Sequence, residues 1–303
     1  MTDSFPRGFY GVALFDAYLM VDWSAASVPV RAENSIWLGL HRPGKRDRLE
    51  NPTTRHAAQT RILELLRGEV EAGRRVLCGF DFAFAYPGDF MERLPADGNK
   101  RPWERAWRLI AELVQDDARN RNNRFEAASE LNRRVGKGAG PFWGCPASRE
   151  NRLLSMRKAK ANKSGFREYR LTDRADTGAG KPQSAFKLAG AGSVGGQTLT
   201  GIPRVRAIRS ARGLAGKTRV WPFETGLVAP RAPVVLAEVY PSMITVRPKN
   251  EVKDKAQVRD LARRFASLDE KDELAECFRG PRNATRREKE TIRSREGWIL
   301  GVR

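Results

Sequence analysis

The stretch YLMVDWSAAS, residues 18–27, decides how this chain is read. Four mostly apolar residues, Tyr18 to Val21, run straight into Asp22, and small and polar residues follow. A short apolar run closed by a polar turn predicts a buried strand. Asp22 then falls near its C-terminal end, the edge at which open α/β sheets present their ligand crevices. An aspartate at such a place also caps turns. Burying its carboxylate is costly unless a cation or hydrogen-bond donors compensate. The functional reading gains weight because the pattern recurs along the chain.

Residues 75–84 predict a second buried strand, with Asp81 between Phe80 and Phe82 and with Phe84 beyond. Packing alone is a poor reason for a charge in such company. VVLAEVY, residues 234–240, predicts a third, carrying Glu238 and closed by Pro241. Residues 252–278 predict a helix, with a capping box at 267–270 that allows a break. On one continuous helix, Leu261, Phe265 and Leu268 share a stripe with Asp272, and Asp269 lies at roughly 80° from Leu261 on its edge.

The remaining elements surround these. A strand is expected over 35–40, a polar loop over 41–54 and a helix over 55–72 that ends at Gly73. Helices follow over 102–118 and 125–135. In the first, Trp103, Trp107, Ile110, Leu113 and Val114 form a core-facing stripe. Residues 136–226 are rich in Gly, Arg and Lys with little sustained periodicity, and read as a long insertion of short strands and loops. A basic tail over 279–295 precedes a last short strand over 297–302.

Composition bounds the class. A chain of 303 residues holds one large α/β domain or two small ones, and 40% hydrophobic residues suffice for a core. No apolar run is long enough to cross a membrane. The opening MTDSFPRGFYG lacks the basic and apolar regions of a secretion signal. Cys78, Cys145 and Cys277 stand far apart with no CxxC spacing, which argues against a disulfide framework or a zinc knuckle. A reducing cytoplasm is the expected compartment.

The net charge of +20 is localised: residues 131–220 hold 20 Lys and Arg against 4 Asp and Glu. A field of this sign draws polyanions, of which nucleic acid is the commonest. Within it, FKLAGAGSVGGQTLT, residues 186–200, is a poor match to a phosphate loop. With the template begun at Gly190, Gly196 stands where Lys is required and Gln197 where Ser or Thr is required.

Asp22, Asp81, Glu238, Asp269 and Asp272 are the candidate catalytic residues. If carboxylates from the first strand, a later strand and the C-terminal helix converge, they make an oxygen-only cage suited to Mg²⁺ or Mn²⁺. Two such ions about 4 Å apart can activate water and stabilise the leaving oxygen of a phosphodiester. The two histidines, His41 and His56, stand in polar surroundings and argue against a His-based triad.

The order VDWS, GFDFAF, AEVYPS, DEKDELA, EGWI resembles the domain-of-unknown-function 429 family of predicted nucleases, within the ribonuclease H-like superfamily. The spacing of Asp269 and Asp272 is similar to that in its Holliday-junction resolvase branch. The resemblance implies a ribonuclease H-like mixed central sheet flanked by helices. It also implies Asp22 and Asp81 as strand ligands to metal, with Asp269 and Asp272 as a helix pair. The expected organisation is a core formed by residues 1–135 and 227–303, interrupted by the basic insertion 136–226 that holds DNA or RNA. The leading function is metal-dependent phosphodiester hydrolysis. Two alternatives are a catalytically inactive nucleic-acid-binding relative and a nucleotide-dependent phosphotransferase of actin-like type.

Overall fold

The structure, a computed structural model, describes residues 13–98, 100–136, 138–158, 165–174, 183–190, 192–246 and 250–302. The opening residues 1–12, and with them the reading of a missing secretion signal, lie outside the described residues. So do parts of the basic stretch, at 159–164 and 175–182.

The apolar run at the start of the described chain forms strand β1 (Ala17–Asp22), and Asp22 is its last residue. β2 (Trp37–His41) returns antiparallel to it, and β3 (Arg48–Glu50) pairs antiparallel with β2 inside the segment expected to be loop. Helix α1 (Arg55–Glu71) follows, started by the Thr54 hydroxyl, which accepts a hydrogen bond from the Ala57 N–H. β4 (Val76–Phe80) lies parallel to β1. Helices α2 (Gly88–Arg93), α3 (Pro102–Leu113), α4 (Arg124–Val135), the short α5 (Leu171–Arg174) and α6 (Gly195–Arg209) come next. β5 (Thr218–Val220) and β6 (Val234–Glu238) then join the sheet in parallel, and its order is β3-β2-β1-β4-β6-β5. The chain closes with α7 (Lys253–Glu270), α8 (Leu274–Cys277) and α9 (Arg286–Thr291). The expected strand over 297–302 is instead a turn, held to the sheet where the Leu300 N–H donates to the Glu238 carbonyl at 2.9 Å.

The protein is therefore an α/β structure with a mixed six-stranded sheet flanked by helices. Strand alternation sorts its two cores. Leu19, Val21, Cys78, Phe80 and Leu236 face α1, α3, α4 and α6, whereas Tyr18, Met20, Leu77, Val235 and Ala237 face α7. α7 seats directly on β1 and β2 because Gly39 has no side chain: a Cβ there would come within 2.9 Å of the Val258 backbone.

The segment 136–226 builds into this core. Its α6 buries Leu199, Ile202, Val205 and Ile208, and its β5 forms one edge of the sheet. Ion pairs take up part of its charge: Arg170 binds Asp173 and Glu238, Arg204 binds Asp116, and Arg209 binds Glu224. Cys78, Cys145 and Cys277 are buried thiols, and none of them is in a disulfide among the described residues. No helix among the described residues is long and apolar enough to cross a membrane.

Candidate active site

The register of β1 and β4 sets the site. Val21 pairs with Phe80, so the next residues along the two parallel strands, Asp22 and Asp81, stand side by side on the α7 face. Neighbouring strands lie about 4.8 Å apart. Asp81 is the first residue past β4, and its backbone N–H donates to the Val21 carbonyl at 3.2 Å. Its Oδ1 accepts the Trp23 N–H at 2.8 Å, which ties the carboxylate to the turn after Asp22.

A third carboxylate arrives from a place the sequence reading passed over. Asp254 lies in the first turn of α7, and its Oδ2 accepts the Asn34 N–H at 3.1 Å. Asp22, Asp81 and Asp254 line one cleft of about 770 Å³ together with Trp23, Arg124 and Lys253. The available signal for Asp254 was an acidic residue in the first turn of a long helix, where the helix dipole favours it. It was obscured by the run Glu251-Val-Lys-Asp-Lys255, which reads as a solvated helix start.

The electrostatics are those of like charges held together. Burial pushes Asp22 well above the usual carboxylate range, and Asp81 and then Asp254 push it further, against the pull of Lys253. Burial lifts Asp81 to about 7, with hydrogen bonds from the Trp23 and Asp81 backbone N–H groups lowering it and Asp254 adding to the rise. Asp254 is raised chiefly by burial as well. Carboxylates in this condition are relieved by a proton or by a cation.

The other expected site residues lie elsewhere. Glu238 pairs in register with Phe80, so alternation turns it to the opposite face from Asp22 and Asp81. There its Oε1 and Oε2 accept from Arg170 at 2.6 and 2.7 Å, and Oε2 also accepts the Phe84 N–H at 3.0 Å. This buried pair lines a small cavity of about 70 Å³ that Asp81 also borders. Asp269 sits near the end of α7, beside the start of β1, where it accepts the N–H groups of Leu14 and Phe15 at 2.8 Å and the Tyr18 hydroxyl at 2.6 Å. Asp272 is exposed in a turn with φ of 60°, because α7 stops at Glu270 and the expected continuous stripe does not form.

The donor set of the cleft, three part-buried carboxylates, is oxygen-only and fits a hard divalent cation better than a soft one. Among the described residues, no group of three or more His, Cys, Asp or Glu side chains stands in a metal-holding arrangement. Asp22 and Asp81 are neighbours, and Asp254 faces the same cleft from its helix.

The glycines of α6, Gly195, Gly196 and Gly201, serve close packing. A Cβ on Gly195 would fall 2.5 Å from the Ala185 carbonyl oxygen, and one on Gly201 would fall 2.3 Å from the Phe82 ring. These contacts explain a glycine-rich sequence that fails the phosphate-loop template. No protein-family model, curated protein or solved structure matches this chain.

Proposed function

We propose that this protein is a metal-dependent nuclease with a ribonuclease H-like core, hydrolysing nucleic-acid phosphodiester bonds at Asp22, Asp81 and Asp254. The observation that carries the reading is that three carboxylates, from the ends of two adjacent parallel strands and the first turn of α7, line one cleft. Support for the ribonuclease H-like assignment comes from the antiparallel β1-β2-β3 unit continued in parallel by β4 and β6. The resemblance of the sequence motifs to the domain-of-unknown-function 429 family points the same way.

Asp22 and Asp81 would hold the cation, Mg²⁺ or Mn²⁺, with Asp254 completing the set from across the cleft. When bound, such a cation polarises a phosphate oxygen and lowers the pKa of bound water. The chain's own part is to keep the carboxylates in place. The Trp23 N–H fixes Asp81, and the Asn34 N–H fixes Asp254. Lys253 and Arg124, in the same cleft, attract a phosphate backbone that the carboxylates alone would repel. The net reaction adds water across a P–O ester bond, leaving a phosphate monoester and a hydroxyl. The protein's excess positive charge suits a polyanionic substrate, DNA or RNA.

The test is incubation of the protein with labelled single-stranded, duplex, hybrid and junction substrates. Cleavage with Mg²⁺ or Mn²⁺ and none with a chelator supports the reading and ranks the substrates. Salt-sensitive binding without cleavage under any cation contradicts it and favours an inactive nucleic-acid-binding protein on the same core.

A further inference from the structure

Arg124 is the first residue of α4 and one wall of the carboxylate cleft. Its Nη1 donates at 2.9 Å to two neutral oxygens, Ser27 Oγ and Asn122 Oδ1, and its guanidinium lies 4.4 Å from the centre of the Phe125 ring. Nε is buried and meets no acceptor. Among the described residues Arg124 forms no ion pair, and Glu126, the acidic group that acts on it, is itself paired with Arg149. Arg55 and Arg204 are compensated by Asp116, Arg170 by Asp173 and Glu238, and Arg209 by Glu224; Arg75 and Arg105 also bury an Nε that meets no acceptor, but neither lines the cleft.

Two further features make the lone cation more costly. Arg55 stands close enough to oppose its charge, and burial together with Arg55 pulls the Arg124 guanidinium down to about 10. The first turn of α6, a 15-residue helix, also packs against it: a Cβ on Gly196 would stand 3.4 Å from Arg124 Nε. A helix start carries partial positive charge, so α6 disfavours a neighbouring cation and favours an anion. A part-buried guanidinium next to a like charge and a helix start, with no carboxylate bonded to it among the described residues, is an arrangement that an entering anion stabilises.

We propose that Arg124 anchors a backbone phosphate of the nucleic acid in the cleft, beside the one that is cut at the carboxylates. The choice of ligand rests on the nuclease reading; the anion site itself does not. The loop Trp23–Ser27 joins the two places, with Asp22 just before it and Ser27 bonded to Arg124. A planar guanidinium held by neutral partners keeps its full charge for phosphate oxygens, which it recognises better than the point charge of lysine does.

The experiment measures binding of a labelled oligonucleotide in chelator, across a salt series, for the wild type, Arg124→Gln, Arg124→Lys and Asp22→Asn. Arg124→Gln is expected to bind at least about tenfold more weakly and to lower the salt slope by about one. Arg124→Lys should restore the slope and part of the affinity, and Asp22→Asn should bind as tightly as the wild type or tighter. A residue that only braced the loop would lower the melting temperature when replaced; Arg124→Gln is expected to leave it unchanged or higher. Wild-type affinity and slope in Arg124→Gln would overturn the proposal. If the wild type binds no oligonucleotide, the nuclease reading fails, and inorganic phosphate then decides the site. Phosphate raising the melting temperature of the wild type and not of Arg124→Gln upholds an anion site, and equal behaviour of the two overturns it.

Discussion

Asp254 and Asp269 occupy opposite ends of one helix, 15 residues apart along α7, which at ~1.5 Å per residue separates their backbones by about 22 Å. Because α7 runs antiparallel to β1, its start meets Asp22 and its end meets Phe15 and Tyr18. One helix thus carries a cleft carboxylate at its first turn and a structural one at its last. The direction of the helix, rather than its apolar stripe, assigns the two roles.

Asp269 is expected to act through stability. Its two oxygens satisfy two backbone N–H groups and a buried phenol. Burial and this carboxylate together push the Tyr18 phenol up, so it stays protonated and donates. Asp269→Asn should turn an amide toward donors and cost about 1–3 kcal/mol in urea unfolding. Its activity, measured well below the transition, should stay within about twofold of wild type, since nothing near the cleft changes.

The buried pair of Arg170 and Glu238 makes a second stability prediction. Arg170→Met strands Glu238 and Asp173 without their cation, and should destabilise by about 3–5 kcal/mol. Combining Arg170→Met with Glu238→Gln should recover part of that loss, since the largest uncompensated charge is then removed. Urea unfolding of the single and double variants gives the coupling; purely additive losses would show that the pair is not a unit.

The pH dependence has a definite sign. Asp81 ionises at about 7 in the folded protein, against about 3.9 in an unfolded chain. Between those values the folded state holds more protons, so this group's contribution to stability falls as pH rises and is fully unfavourable above about 7. Asp81→Asn should therefore flatten the decline in unfolding free energy between about pH 4 and 7, and raise stability at pH 8, by up to about 4 kcal/mol. A chelated wild type that shows no such decline would count against the strain among the carboxylates. Added Mg²⁺ or Mn²⁺ at pH 8 should raise the melting temperature of the wild type more than that of Asp81→Asn.

Much of this arrangement was legible in the sequence, for identifiable reasons. The strands bearing Asp22 and Asp81 are short apolar runs with one acidic residue at the end, a pattern local enough to read directly. The helices at 55–72, 102–118 and 125–135 carry ordinary apolar stripes and appear as α1, α3 and α4, with α3 ending early at Leu113. Glu238 was found as a buried carboxylate, but its face depends on the register of β6 against β4, which only the assembled sheet sets. α6 was hidden because Gly195, Gly196, Gly201 and Pro203 interrupt a Leu199-Ile202-Val205-Ile208 stripe. Glycine and proline ordinarily mark loops, and here close packing against Phe82 and the Ala185 carbonyl requires the glycines. Asp254 carried no apolar pattern at all, and its role follows from where the helix begins.

The most direct measurement compares cleavage of the best nucleic-acid substrate in Mg²⁺ or Mn²⁺ by the wild type, Asp22→Asn, Asp81→Asn, Asp254→Asn and Asp272→Asn. The first three variants should each lose about a hundredfold or more in rate, while Asp272→Asn, in its exposed turn, should match the wild type. Wild-type activity in Asp254→Asn together with loss in Asp272→Asn would contradict the site assigned here, and no cleavage by any of the five would contradict the nuclease itself.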